Sequence, residues 1–312
     1  MNDFELQGER ISSLFSLSKE LLEEYAKNNN INGVSDNFFL KIIAPLVHNL
    51  NSLPKRDDPY LICLTGGQGS GKTTMSEFIQ LVLNNFCEKR TIGFSIDDIY
   101  KTQEQRRELA EKVHPLCEVR GMPGTHDIEL GFSILESLYR ANDDSVTLIP
   151  AFNKPLDRHY PEENWKSFRG KPDFIFLDAW CGGVKPMEEE DWQTPINELE
   201  EEMDPKGVWS RWSNMELSGD YQDFFSMIDI LILIRVPSMD HVFESRWLQE
   251  QTLKKNTTDP DMLRKIMTKA QVYRFVMHYE RLTRHILKEM PDYCDILIDR
   301  DESFNFSFSK SP

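Results

Sequence analysis

The sequence predicts a doubly wound α/β fold of the P-loop type, a parallel sheet with helices on both faces, and three observations predict it. Short apolar runs end in polar or glycine-bearing turns at residues 60–65 (YLICLT), 91–96 (TIGFSI), 173–178 (DFIFLD), 228–236 and 294–299. Buried parallel strands read in this way, as near-continuous apolar runs. Stretches with helical spacing of apolar residues alternate with them, which is the pattern of repeated strand–helix–strand units. The first run leads at once into the glycine-rich segment GGQGSGKT at residues 66–73.

Residues 1–58 read as a peripheral helical extension. Ile11, Leu14, Phe15, Leu17, Leu21, Leu22 and Tyr25 recur at helical spacing, and residues 38–50 repeat the pattern after a polar turn at 28–33. A charged linker at 54–59 then enters the main domain, residues 59–312. A helix is predicted over 73–86 and another over 126–140, with Thr125 or Asp127 as its cap. Residues 146–150 predict a short strand, and 238–251 and 259–287 predict helices. Residues 187–225 form an acidic helical insertion, read either as a solvated surface excursion or as a flap or lid over the substrate. The Ser/Phe-rich end of the chain carries no predicted element.

Composition narrows the function. The chain has 36 basic and 52 acidic residues among 312, a net charge of −16. Such a surface argues against nucleic acid or an anionic membrane as the main partner, yet allows a locally positive site. The five cysteines are scattered, with no metal-type spacing, as expected of free thiols in a reducing cytoplasm. The N-terminus lacks the basic and apolar regions of a secretory signal. The longest apolar run, 228–236, is far short of the about 20 residues a membrane helix needs.

Gly66, Gly67, Gln68, Gly69, Ser70, Gly71, Lys72 and Thr73, followed by Thr74, satisfy G-x-x-x-x-G-K-[ST]. Glycines let the backbone curl so that successive N–H groups face phosphate oxygens. The following helix aims its positive end at the same anions. Lys72 is expected on the β- and γ-phosphates and the Thr73 hydroxyl on Mg²⁺. ATP and Mg²⁺ are therefore the expected cofactors.

The loop alone does not separate kinases from ATPases or switches, so the other strand ends must decide. Asp97 and Asp98 close the second strand. A carboxylate there can accept a hydroxyl proton during phosphoryl transfer, or cap a helix. Asp178 closes the DFIFLD strand in the manner of a Walker-B carboxylate beside the metal, or serves the turn before Gly182 and Gly183. Arg246 follows Pro237 on a predicted helix, as a lid arginine balancing charge on the transferring group or as a surface arginine. The turn from Gly121 to Asp127 offers a backbone-built acceptor pocket or only a capped turn. Lys154 and Arg158 offer charge to an anionic acceptor, or lie in a solvated loop.

Taken in order, GGQGSGKTT, SIDDIY, RGMPGTHD, PAFNKPLDR, FLDAWCGG and RWLQEQ resemble the D-glycerate 3-kinase family over residues 60–300. That family is similar to the pantothenate, uridine and phosphoribulokinase group of P-loop kinases. The insertion resembles one found in bacterial members. The resemblance implies Asp97 as the base, Asp178 near the metal and Arg246 in the lid. It also implies that Asp98, Tyr100, His126, Asp127, Lys154 and Arg158 line the acceptor site. The family's Y-D-K-S segment is Phe152-Asn153-Lys154-Pro155 here, its Asp178 position is often Glu, and the lid order is Arg246-Trp247 rather than Trp-Arg. The expectation is a kinase that uses ATP on a small hydroxylated metabolite, D-glycerate or a similar acid. A pantothenate- or uridine-like acceptor, or a non-catalytic ATP-binding regulatory module, are the alternatives.

Overall fold

The chain is described by a computed structural model over residues 3–31, 34–192 and 194–311. Ten strands lie among the described residues: β1 (Tyr60–Thr65), β2 (Thr91–Ser95), β3 (Val146–Ile149), β4 (Phe152–Asn153), β5 (Arg158–His159), β6 (Lys166–Arg169), β7 (Phe174–Asp178), β8 (Ile230–Arg235), β9 (Ile296–Arg300) and β10 (Phe306–Lys310). Leu61 to Thr65 are all buried, as a strand covered on both faces requires. β1 accordingly sits inside a six-stranded sheet of order β10-β9-β8-β1-β7-β2. All neighbours pair in parallel except β10, which closes the edge antiparallel to β9. The predicted fold class is the observed one.

Period-two alternation divides the sheet into two cores. Leu61, Cys63, Ile175, Leu177, Leu231 and Leu233 face one of them. Ile62, Leu64, Phe174, Phe176, Ile232 and Ile234 face the other. Lys72–Phe86, the helix after the glycine loop, covers the second face through Met75, Phe78, Ile79 and Val82.

The N-terminal helix Asp3–Asn28 and the helical run at 36–51 complete that same face. Leu22, Phe39, Ile42, Leu46 and Val47 are buried in it, each contributing about 1.5–3 kcal/mol. The segment is therefore part of the sheet's packing rather than a peripheral addition. Its amphipathic spacing announced helices but not the surface they cover.

The acidic insertion also differs from a solvated excursion. It folds into the helices Glu198–Met203, Val208–Leu217 and Asp220–Ser226. Leu199, Trp209, Tyr221 and Phe224 are buried in the first core. Glu200, itself buried, takes a two-pronged ion pair from Arg281 on the long helix Lys269–Tyr293. Glu198, Glu201 and Glu202 lie on the outer side of an element whose inner side is packed.

Three further boundaries differ from expectation. The strand at 146–150 forms, as β3, a separate antiparallel pair with β6. The helix expected over 259–287 is two, Pro260–Lys265 and Lys269–Tyr293, because Thr268 and Gln271 form a capping box that restarts it. β10 arises in the Ser/Phe-rich end, where Phe306 and Phe308 alternate onto the second core.

Candidate active site

The parallel order β8-β1-β7-β2 brings four carboxyl ends together, and the candidate residues stand on them. After β1 the chain turns sharply at Gly66, whose φ is 142°. A Cβ there would lie 2.3 Å from the carbonyl oxygen of Ile234 in β8. No side chain fits between two hydrogen-bonded strands at that distance. Gly66→Ala is therefore expected to cost at least about 2 kcal/mol of stability and to weaken ATP binding, read by denaturant unfolding and calorimetry. An unchanged unfolding midpoint would contradict this.

Gly71, with φ 99°, starts the helix Lys72–Phe86. Lys72 is buried, and its ammonium donates to the carbonyls of Gly66 at 2.9 Å and Gly67 at 3.2 Å. Burial lowers its pKa, while the nearby Asp178 and Asp97 oppose that shift. Ser70 is buried behind the loop, Gln68 reaches the Tyr279 hydroxyl, and Thr74 is half-buried on the helix.

The exposed hydroxyl of Thr73 bonds directly to Asp178 Oδ2. Register explains the meeting: Asp178 pairs with Leu64 on one side and Ser95 on the other. A hydroxyl and one carboxylate are a fitting donor set for Mg²⁺, which keeps several waters and takes its remaining ligands from phosphates. Among the described residues there is no group of three His, Cys, Asp or Glu that could hold a metal ion.

Beyond β2, the tandem aspartates divide their tasks. Ser95 Oγ accepts from the Asp97 N–H at 3.1 Å, and Asp98 Oδ2 accepts from the Ser95 N–H at 3.0 Å, a capping box on the short turn Ile96–Asp98. Asp98 Oδ1 also accepts from Phe152 N at 3.3 Å. Its carboxylate is thus committed to backbone. Asp97 is left for other work: Tyr100 donates its hydroxyl proton to Oδ1, and Lys154 donates to Oδ2 at 2.5 Å. Burial alone would raise the Asp97 pKa, but Lys154 and Tyr100 hold it down to about 2.

Lys154 is exposed and sits on a loop braced from both sides of the chain. Asp157, at φ 52°, receives Arg106 at 2.6 Å and Arg120 at 2.7 Å. Arg120 also donates to the Lys154 carbonyl at 3.2 Å. Arg106 is fully buried, so this brace is rigid.

His126 is buried and stacks on Tyr100, with centroids 5.0 Å apart. Tyr221, from the insertion, fixes its tautomer. The tyrosine oxygen accepts from Gly124 N at 2.9 Å and, more weakly, from His126 N at 3.4 Å. With its lone pairs filled, its proton goes to His126 Nδ1, 2.7 Å away. The imidazole therefore carries its own hydrogen on Nε2, which is buried without a partner. Burial lowers the His126 pKa to about 4. The unfolded chain takes up this proton first as pH falls, so the contribution of His126 to stability is greatest above pH 6.5. That contribution falls by roughly 3 kcal/mol between about 6.5 and 4. His126→Gln is expected to flatten that slope in denaturant titrations at pH of about 7 and about 4.5; parallel slopes would contradict it.

The remaining candidates stand apart from this cluster. Asp127 caps the helix Ile128–Tyr139 by accepting from Leu130 N at 3.0 Å. Arg158 is exposed on the β4–β5 hairpin. Arg246, on the helix Met239–Asn256, pairs with Glu250 at 2.6 Å. Its charge and that of Asp97 both reach the Tyr279 hydroxyl.

No protein-family model matches the chain. It is 28% identical over 254 residues to the uncharacterized kinase mug58 of Schizosaccharomyces pombe, covering 76% of this chain and 85% of that one. It is 27% identical over 197 residues to the chloroplastic D-glycerate 3-kinase of Arabidopsis thaliana, covering 61% of this chain but only 40% of that enzyme. The structure of D-glycerate 3-kinase from Cryptococcus neoformans superposes with a TM-score of 0.67 at 20% identity, over 84% of this chain and 96% of that one. The chain is homologous to D-glycerate 3-kinase and to kinases of unassigned acceptor. No helix among the kinase's described residues is long and apolar enough to cross a membrane. Its five cysteines are all free thiols. Arg106, Arg120, Asp157 and Tyr221 brace the candidate site. Arg120 and Asp157 stand inside the RGMPGTHD and PAFNKPLDR segments, whereas Arg106 and Tyr221 carry no sequence signal.

Proposed function

We propose that the kinase transfers the γ-phosphoryl group of ATP to a hydroxyl of a small anionic hydroxy acid, D-glycerate or a near analogue, in the cytoplasm. The observation that carries this reading is the trio of Asp97, Lys154 and Tyr100, on the far side of Asp178 from the phosphate loop. A carboxylate beside an ammonium matches an acceptor that brings both a hydroxyl and a negative charge. Lys154 takes the acceptor's carboxylate. Asp97, released from it, accepts the hydroxyl proton.

The loop N–H groups and Lys72 hold the triphosphate. Thr73 and Asp178 hold Mg²⁺, which neutralises charge on the phosphates when bound. Arg246 exchanges Glu250 for the transferring group as the lid helix adjusts. His126 presents its Nε2–H as a fixed donor toward the acceptor. Support for the acid as acceptor comes from the D-glycerate 3-kinase relatives and from Lys154 itself. Among the described residues Asp97 is the one carboxylate that Lys154 pairs with.

The test compares D-glycerate with glycerol, which has the hydroxyls without the carboxylate, in Mg-ATP-dependent ADP release. A preference for the acid of about 100-fold in kcat/KM is expected from one charge-assisted contact. Equal use of both, or stimulation only by uridine or pantothenate, would reject the acid. No stimulation by any acceptor would favour a regulatory ATP-binding module.

A further inference from the structure

Arg300 ends β9 and belongs to none of the groups used above. It is 3% exposed, and among the described residues it forms no ion pair. The adjacent Asp301 is exposed and turned onto Ser303 and Asn305. The guanidinium instead spreads over neutral partners. Nη1 donates to the carbonyl of Gly69 at 2.5 Å, Nη2 donates to the Ser245 hydroxyl at 2.8 Å, and the Phe304 ring lies 4.5 Å away. Nε is buried without an acceptor.

Two structural elements meet at this fork. Gly69 is the middle of the phosphate loop. Ser245 is on the lid helix Met239–Asn256, next to Arg246. The two elements touch: a Cβ on Gly69 would lie 2.6 Å from the Ser245 Cβ. The exposed Asp301 acts on Arg300 only through space, and a buried cation with no carboxylate in contact is costly unless a further anion balances it. The cradle in front of Gly69 is built for anions.

We infer that Arg300 is a positioning residue for the triphosphate: it pins the Gly69 peptide and the lid helix to each other, and the bound triphosphate is its counter-anion. The planar fork is what the geometry uses, since one guanidinium reaches two elements in two directions. Binding of phosphates in front of the loop thereby draws the lid helix, with Arg246, toward the reacting group. The inference concerns the nucleotide side only and holds whatever the acceptor proves to be.

The experiment measures binding of inorganic tripolyphosphate and of adenosine separately, by calorimetry, to the wild type, R300M, R300K and S245A. R300M is expected to bind tripolyphosphate at least about tenfold more weakly, with adenosine within about twofold. R300K keeps the charge but spans one contact, and is expected to fall between R300M and wild type. S245A is expected to keep tripolyphosphate binding and lose the hydrogen-exchange protection that tripolyphosphate gives the lid helix. Wild-type tripolyphosphate affinity in R300M overturns the inference, as does an equal loss for adenosine, which marks a merely structural residue. Should R300M fail to fold, R300K decides: affinity equal to wild type would remove the fork from the account.

Discussion

Asp97→Asn is expected to lower acceptor-dependent ADP formation by about 10³-fold while ATP affinity stays within about twofold. The substitution keeps the shape of the side chain and can still accept the Tyr100 hydroxyl proton. It removes the charge that takes the acceptor's proton and that pairs with Lys154. The capping box on the Ile96–Asp98 turn is made by Ser95 and Asp98, so the local fold does not depend on the Asp97 carboxylate. Single-turnover rates with saturating Mg-ATP would measure the step directly. A variant with wild-type turnover would remove Asp97 from the mechanism. In the wild type, the free-enzyme Asp97 pKa of about 2 leaves this group ionised across the neutral and mildly acidic range. It therefore contributes no acid limb to kcat/KM in that range.

Lys154→Met is expected to raise the acceptor KM by about 10- to 100-fold, the worth of one charge-assisted hydrogen bond to a ligand. It also removes the cation that holds down Asp97. Burial then acts on the carboxylate without opposition from Lys154, so its pKa moves up. Protonation of Asp97 begins at higher pH, and an acid limb enters the kcat/KM profile of the variant. A flat profile with an unchanged acceptor KM would show that Lys154 touches neither the acceptor nor the base. Arg120 and Asp157 hold the loop in both proteins, so loss of the loop's position is not the cause of either effect.

The legible parts of this protein were those fixed by local chemistry. The central strands announced themselves because strands buried on both faces must be apolar throughout. The phosphate loop was legible because only glycine tolerates backbone as crowded as that at Gly66. Thr73 and Asp178 were separately visible, and sheet register brings them into contact.

What stayed hidden depends on partners remote in sequence. The resemblance implied Asp97 as the base, but the physical reason, that Asp98 is committed to capping, is not visible in a D-D pair. The insertion read as acidic because its outward residues are; Trp209, Tyr221 and Phe224, which anchor it, carry no signal of where they pack. Arg106 and Arg300 look like any surface arginine until the fold buries or pairs them. β10 was obscured by a Ser/Phe alternation too short to stand out.

The central claim is that phosphate leaves ATP for a hydroxyl beside Asp97 and Lys154. Incubating the kinase with γ-labelled ATP, Mg²⁺ and D-glycerate, then separating the products, tests it most directly. The account predicts label in a phosphate ester of the acid, formed by the wild type and nearly absent with Asp97→Asn. Label appearing only as inorganic phosphate, at the same rate with and without the acid, would contradict it.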